Sequence, residues 1–206
     1  MVSSYPVQFD VDYPSKPLNR LTTAFRLLVA IPIVVVLTML SRQAFGDNGH
    51  SERDSVVIGG AAVFVPLVLM LVFRQKYPRW WFDWNLNLMR FSNRVTAYLA
   101  LLDDRYPSTD EDQSVHLDFP YPDARQMNRW LPLVKWMLAI PHYFVLLFLG
   151  LGAILAIIAA WFAILFTGTY PRSLFDYVVG VLRWTNRVNG YAFTLITDQY
   201  PPFSLN

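Results

Sequence analysis

The sequence predicts an α-helical membrane protein with two tandem transmembrane hairpins, four spans in all, plus interfacial amphipathic helices and a small cytoplasmic β-sheet. Three observations predict this fold class: long apolar stretches, polar segments with helix or strand periodicity, and residue types that recur at constant spacing. Of the 206 residues, 54% are hydrophobic and only 16% are charged, against about 25% charged in a typical soluble domain. The 17 basic and 15 acidic residues nearly balance, which indicates no nucleic-acid partner.

The first hairpin is predicted from two apolar stretches. Residues 21–40 are predominantly apolar, and the long side chain of their one charged residue, Arg26, can reach the headgroups. Residues 56–73 form an unbroken apolar run, long enough to be a candidate span. A polar loop, roughly residues 41–54, joins the two stretches. The first twenty residues hold acids and prolines but no apolar core, so we expect no cleavable signal peptide.

The second hairpin is predicted from one longer stretch. Residues 136–166 contain a single titratable group, His142. At about 1.5 Å per residue they are too long for one upright span. Gly150-Leu151-Gly152, near the middle, is typical of a tight turn. We therefore predict two short spans, with residues 131–135 extending the first, and the alternative is a single long tilted helix.

The chain is predicted to be a tandem repeat, with residues 1–107 as the first copy and residues 108–206 as the second. Two upstream matches, Asn19-Arg20 with Asn128-Arg129 and Ala30-Ile31-Pro32 with Ala139-Ile140-Pro141, share one offset. Downstream, a second constant offset relates Phe82, Asp83, Arg90, Asn93, Arg94, Val95 and Tyr98 to Phe175, Asp176, Arg183, Asn186, Arg187, Val188 and Tyr191. So many identities at fixed spacing indicate a repeat. An even number of spans in each copy gives both copies the same orientation.

The distribution of basic residues predicts the orientation. Most lysines and arginines lie between the two hairpins or after the second one. By the positive-inside rule, we expect both termini and the central segment to be cytoplasmic.

Four short segments are predicted to be strands, and the first two alternate apolar and polar residues, which is the period of a strand. They are residues 7–11, 115–119, 191–195 and 98–102. We expect strands from both copies to pair, because a single hairpin is marginal in water. Residues 103–113 are polar and are predicted to be a linker.

An amphipathic helix is predicted in each copy, over residues 81–97 and 174–190. Charged residues fall at helical spacing on one face, and the other faces are apolar and rich in tryptophan. We expect these helices to lie in the headgroup plane. Because arginine forms forked hydrogen bonds with phosphate, the candidate residues for binding lipid headgroups are Asp83, Arg90, Arg94, Asp176, Arg183 and Arg187. The alternative is that the arginines anchor the chain and pair with the aspartates.

The second copy resembles a known family. The patterns AIPH, LFTGTYPRSLFDY, GVLRWTNRV and TDQYPPF, between residues 115 and 203, are similar to the bacterial membrane family called domain of unknown function 4389. The first copy is divergent: Ile33 stands where the second copy has His142. The resemblance implies a multi-pass protein of the bacterial inner membrane and implies no activity.

The sequence offers little chemistry. His142 follows a proline inside an apolar stretch, where a titratable group is a functional hypothesis: it could relay a proton, or it could simply satisfy a backbone carbonyl. One histidine makes a poor metal site, and the absence of cysteine excludes thiolate ligands. No catalytic motif is found, so we expect no catalytic residue, metal or cofactor.

The functional prediction is therefore a non-enzymatic inner-membrane protein, an accessory, scaffolding or assembly subunit of a larger complex. Its expected partners are membrane lipids and other membrane subunits or further copies of itself. The alternative is a lipid-binding, lipid-handling or transport protein that uses the two arginine stripes, and a membrane enzyme ranks third. A transporter needs polar groups at mid-membrane, and the apolar stretches offer little beyond Thr38 and His142.

Overall fold

The computed structural model describes residues 5–45, 67–109 and 111–206. Most of the ordered elements are helical. In chain order they are β1 Gln8–Val11, α1 Arg20–Phe45, a π-helical turn Met70–Arg74, α2 Arg79–Leu99, β2 Val115–Asp118, a 3-10 turn Leu131–Leu133, α3 Lys135–Leu138, α4 Ile140–Thr167 and α5 Arg172–Ala192.

One antiparallel pair of strands joins the two halves of the chain. Phe9 of β1 lies opposite Leu117 of β2, and Val11 lies opposite Val115. These four side chains are buried, whereas the polar residues between them are exposed. The period-two alternation therefore predicted both strands correctly.

The other two predicted strands are wrong. Residues 98–102 and 191–195 are the ends of helices α2 and α5 and the turns that follow them. Leu101 has φ of 64° and Leu195 has φ of 54°. This left-handed conformation is incompatible with a strand. Both leucines are buried. The apolar residues of these two segments are therefore core side chains that follow the end of a helix.

The predicted hairpin turn at Gly150 and Gly152 is also wrong. The chain forms one 28-residue helix, α4, which is the single-helix alternative. Gly152 serves close packing, because a Cβ there would lie 2.5 Å from the Tyr177 hydroxyl oxygen of α5. The helix ends at Gly168, whose φ of 78° forms a left-handed cap.

Two helices are long and apolar enough to cross a membrane, α1 over Arg20–Met39 and α4 over Ile140–Thr167. Only 22% and 17% of these segments are buried. Four spans are not supported by the described part of the chain. The predicted span at residues 56–73 lies mainly outside the described residues, as does the loop at residues 41–54 beyond residue 45, where α1 ends.

The elements form three layers. The β1–β2 sheet packs against α2 and α5, which form the middle layer, and α1 and α4 cover the opposite side of that layer. The main core lies between the sheet and the middle helices, where Phe9, Leu117 and Phe175 are buried. Both amphipathic helices therefore occur where predicted, each about two residues longer at either end. One face of each helix is buried in the core, whereas Trp80 and Trp84 near the start of α2 are exposed. The placement of the two helices in the headgroup plane stays a prediction.

Candidate functional site

Arg183 connects α5 to β1 and to the C-terminal segment. Its Nε donates to the carbonyl oxygen of Phe9 at 2.9 Å, and Nη1 donates to the carbonyl of Leu205 at 3.0 Å. Nη2 forms a 2.8 Å ion pair with Asp10. The five N–H donors of a guanidinium suit such a three-way contact.

Arg90 makes the corresponding contact between α2 and β2. Its Nε donates to the carbonyl oxygen of Leu117 at 2.9 Å, and Nη2 lies 3.4 Å from the Asp118 carboxylate. Each arginine thus binds the strand that belongs to the other half of the sequence. The two stripes hold the halves of the molecule together through the sheet.

The second arginine of each stripe also binds backbone. Arg94 donates to the carbonyl of Ser108 at 2.7 Å. Arg187 is only 1% exposed and donates to the carbonyl of Ser204 at 3.3 Å. Burial, together with the charge of neighbouring Arg183, lowers the pKa of Arg187. All four predicted arginines therefore direct donors at this chain's own carbonyl groups.

The two predicted aspartates lie apart from these contacts. Asp176 pairs with Arg172, one turn earlier on the same helix, at 3.1 Å. Asp83 is exposed near the start of α2. The structure does not bring either aspartate into an ion pair with Arg90 or Arg183. The anchoring interpretation of the arginines fits these contacts, but their aspartate partners come from the strands.

Between the two stripes, Asn93 and Asn186 form a reciprocal pair. The Nδ2 of each asparagine donates to the Oδ1 of the other at 2.8 Å. Both residues are buried, and each also donates to the carbonyl four residues earlier on its own helix. Because the two amides make the same contacts, this pair marks a local twofold relation between α2 and α5.

Two buried cations bind other segments of the chain. Arg26 does not extend its side chain outward as predicted: it is 2% exposed, pairs with the Asp104 carboxylate and donates to the Asp103 carbonyl at 2.8 Å. Lys135 is fully buried, pairs with Asp198 at 2.8 Å and donates to the Thr197 carbonyl at 2.8 Å. Burial lowers the pKa of Lys135, and the Asp198 carboxylate acts in the opposite direction.

A sequence signal for these cations did exist. Arg26 and Lys135 are separated by the same offset as the Ala-Ile-Pro matches, and Asp104 and Asp198 both precede a Tyr-Pro pair by two residues. Each cation also lies over a tyrosine ring, Arg26 over Tyr98 at 4.6 Å and Lys135 over Tyr191 at 5.2 Å. These two cations could have been found by comparing the charged residues at positions that match between the two halves of the sequence.

His142 lies in an aromatic environment at the start of α4. It is fully buried, and its Nδ1 accepts a hydrogen bond from the Trp184 indole at 3.1 Å. The ring stacks on Phe203 with centroids 4.0 Å apart. Nε2 has no partner among the described residues. The observed acceptor contact is therefore with an indole, not with the backbone carbonyl that the simpler alternative assumed.

Across residues 5–45, 67–109 and 111–206, no group of three potential ligand side chains is close enough to hold a metal ion. The titratable residues described above are dispersed over both strands, the helices α1 to α5 and the segments next to them. Their arrangement is suited to connecting elements.

Comparison with known proteins places the C-terminal part of this chain beside one family. Residues 130–204 match the family model described as Domain of unknown function (DUF4389). The match covers α3, α4 and α5, and it supports the resemblance over this segment. No curated protein and no solved structure matches the chain.

Proposed function

We propose that this chain is a non-enzymatic integral protein of the bacterial inner membrane that serves as an accessory, scaffolding or assembly subunit. Its partners in this proposal are membrane lipids and other membrane subunits or further copies of itself. The observation that carries the proposal is the exposed apolar face of α4. Nine large apolar side chains there are each 48% exposed or more: Phe144, Leu147, Phe148, Leu151, Ile154, Leu155, Ile158, Phe162 and Phe166.

This face runs the whole length of α4. Soluble proteins rarely expose continuous apolar patches of this size. The opposite face, with Ala153, Ala156, Ala160 and Ile164, is buried against the rest of the molecule. Contact with lipid chains removes the free-energy cost of exposing this outer face to water, because apolar side chains favour hydrocarbon over water.

Contacts at both ends of α4 support a position along the body of the protein. Just before its start, Lys135 binds Asp198, and at its end the carbonyl of Gly168 accepts a 2.9 Å hydrogen bond from the N–H of Leu18. We propose that α4 lies against the middle helices with its outer face in lipid. The Tyr5 hydroxyl donates to the Gln199 carbonyl at 3.1 Å, so the two ends of the chain are in contact. In this proposal both termini are cytoplasmic.

The internal use of charge supports a scaffolding role over catalysis. Arg26, Arg90, Lys135 and Arg183 each connect two or more segments of the chain. An enzyme of this size needs clustered titratable groups around a substrate. The lipid-handling alternative through the arginine stripes ranks second, because the stripe donors already bind backbone carbonyls.

We further propose that residues 1–107 and 108–206 are two copies of one unit. Matched contacts support this: Tyr13 donates to the Tyr170 carbonyl, and Tyr121, its counterpart, donates to the Tyr77 carbonyl. Each contact joins one half to the other. In this proposal the copies exchange strands around the Asn93–Asn186 pair.

Cysteine accessibility in native membrane vesicles tests the membrane placement. The chain has no cysteine, so single variants Phe144→Cys, Leu155→Cys and Phe166→Cys report directly. We expect all three to resist a membrane-impermeant maleimide, while Gln8→Cys, on the exposed face of β1, reacts once its side of the membrane is accessible. Labelling of all three α4 positions as fast as position 8 contradicts lipid contact.

Affinity purification in native nanodiscs tests the subunit role. We expect a membrane protein in constant stoichiometry with the tagged chain, identified by mass spectrometry. A monodisperse particle that carries lipid alone contradicts the scaffolding proposal and favours lipid handling.

A further inference from the structure

A cluster of exposed cations lies at the junction of the π-helical turn, α2 and the segment after β2. We call this cluster the basic seam. Its members are Arg74, Lys76, Arg79, Arg125 and Arg129, and all five are exposed. None of them belongs to the arginine stripes predicted from helical periodicity.

Three contacts hold together the two chain segments that carry the seam cations. Arg129 donates to the Gln75 side-chain oxygen at 3.1 Å. The Tyr121 hydroxyl donates to the Tyr77 carbonyl, and the Arg79 guanidinium lies 5.5 Å from the Tyr121 ring centroid. Between these contacts is a shallow cleft of about 380 Å³, lined by residues 75–77 and 121–125.

Little negative charge offsets the seam. The Asp123 carboxylate lines the cleft, but it accepts the Arg125 backbone N–H at 3.1 Å and the Gln126 amide at 3.0 Å. Asp83 is exposed one turn after Arg79. A third carboxylate, Asp198, accepts the Asn128 N–H next to Arg129 but is paired with Lys135. Five cations against Asp83 and Asp123 leave a net positive surface.

Exposed aromatic residues border the seam. Phe73, Trp80 and Trp130, each adjacent in sequence to a seam cation, are 74%, 71% and 65% exposed. Tryptophan at the boundary of basic and apolar surface is typical of the membrane interface. Guanidinium groups form forked hydrogen bonds with phosphate.

From this combination we propose that the basic seam binds the anionic headgroups of membrane phospholipids. The inference rests on the proposed membrane function and adds a lipid class and a location to it. The phosphate of an anionic lipid meets the cations, and its acyl chains lie beside the aromatic border.

The other end of the molecule provides a matched comparison. There, Tyr13 contacts Tyr170, and Arg172 lies 4.7 Å from the Tyr13 ring centroid. At the offsets that relate the two halves, Arg79, Arg125 and Arg129 correspond to Arg172, Lys16 and Arg20, whereas Arg74 and Lys76 correspond to Thr167 and Thr169. Two of the five seam cations therefore have no counterpart at the other end.

The test removes Arg74, Lys76 and Arg125, whose side chains make no hydrogen bond or ion pair with the described residues. The variant Arg74→Gln/Lys76→Gln/Arg125→Gln therefore keeps the contacts of Arg129 with Gln75 and of Arg79 with Tyr121. The control Lys16→Gln/Arg20→Gln/Arg105→Gln removes the same charge from exposed positions at the other end. The charge-retaining variant Arg74→Lys/Arg125→Lys checks that lost binding reflects charge.

Full-length protein is reconstituted in phosphatidylcholine vesicles that contain brominated phosphatidylglycerol or brominated phosphatidylcholine at the same fraction. Bromine quenches tryptophan fluorescence, and all variants keep the same 7 tryptophans. We expect the wild-type chain to prefer the anionic lipid. We expect the preference for the anionic lipid to be at least about fivefold weaker in the seam variant, which is the factor for one juxtamembrane cation. We expect the control and the lysine variant to keep the wild-type preference.

Equal loss in the seam variant and in the control, or equal quenching of the wild type by both lipids, overturns the proposal. Absence of quenching by either lipid is a separate outcome. It refutes the membrane placement itself, and with it this inference.

Discussion

Replacing Asn93 by alanine tests the pair at the centre of the molecule. The substitution removes both 2.8 Å hydrogen bonds with Asn186 and leaves the buried Oδ1 of Asn186 without this donor. Asn186 keeps its own bond to the Leu182 carbonyl at 2.9 Å. Asn93→Ala also removes the 2.8 Å bond from Asn93 to the Met89 carbonyl on its own helix, so a control that loses only such a bond is needed.

The magnitude follows from the number of groups affected. Two lost hydrogen bonds contribute about 0.5–1.5 kcal/mol each, and one unsatisfied buried acceptor adds about 1–3 kcal/mol. With partial relaxation we expect Asn93→Ala to lower the free energy of unfolding by about 2–4 kcal/mol, and Asn186→Ala to do the same. The double variant loses the two shared hydrogen bonds only once and leaves no unsatisfied partner. Its loss is therefore about 1–3 kcal/mol, which falls short of the sum of the single losses by about 3–5 kcal/mol.

Guanidinium unfolding in a mild detergent, followed by far-UV circular dichroism, measures these differences. Asn85→Ala is the control, because Asn85 makes the same 2.8 Å bond to the carbonyl four residues earlier but has no recorded bond to another element. We expect the control to lose less than about 1 kcal/mol. Losses for Asn93 and Asn186 that add within about 0.5 kcal/mol refute the coupling.

Three further outcomes are expected. Gly190→Ala places a Cβ 2.5 Å from Val7 and lowers the free energy of unfolding by about 1–3 kcal/mol. Gly150→Ala, where the added Cβ meets open space, raises the free energy of unfolding by up to about 1 kcal/mol. The opposite order in denaturant unfolding contradicts the packing described. Arg183→Gln lowers the same free energy by about 2 kcal/mol without changing the co-purified lipids, and a changed lipid profile revives headgroup binding by the stripes. Burial raises the pKa of Tyr170, so the folded state holds that proton more tightly and stability falls above about pH 10; Tyr170→Phe should make this alkaline loss smaller in unfolding curves from pH 8 to 11.

The periodicity of apolar residues predicted the strands and helices that have one buried face and one exposed face. Alternation located β1 and β2, and the 3.6-residue pattern located α2 and α5. The predicted turn at Gly150 and Gly152 was wrong, because a glycine that ends a helix and a glycine that allows close packing of another helix look alike in sequence. The deciding contact is the Tyr177 hydroxyl, which lies on another helix.

Functional residues were predicted less well, because their partners are distant in sequence. Helical spacing identified Arg183, but nothing local indicates that its acceptor is the Phe9 carbonyl, 174 residues away. The basic seam has no periodicity at all: its cations come from two separate segments that meet at Gln75 and Tyr121. Only the folded chain places them on one surface.

The exchange of contacts between the ends of the chain has a consequence for biosynthesis. The first strand completes its contacts last: β1 can pair with β2 once residues 115–118 are made, but Tyr5 binds Gln199 and Phe9 binds Arg183, so these contacts wait for the end of the chain. At about 5–20 residues per second, that wait lasts roughly 10–40 s. During it, the apolar side of β1 has no α5 to cover it, although β2 can already pair with its edge. The nascent chain therefore exposes an incomplete apolar core until its last helix is made.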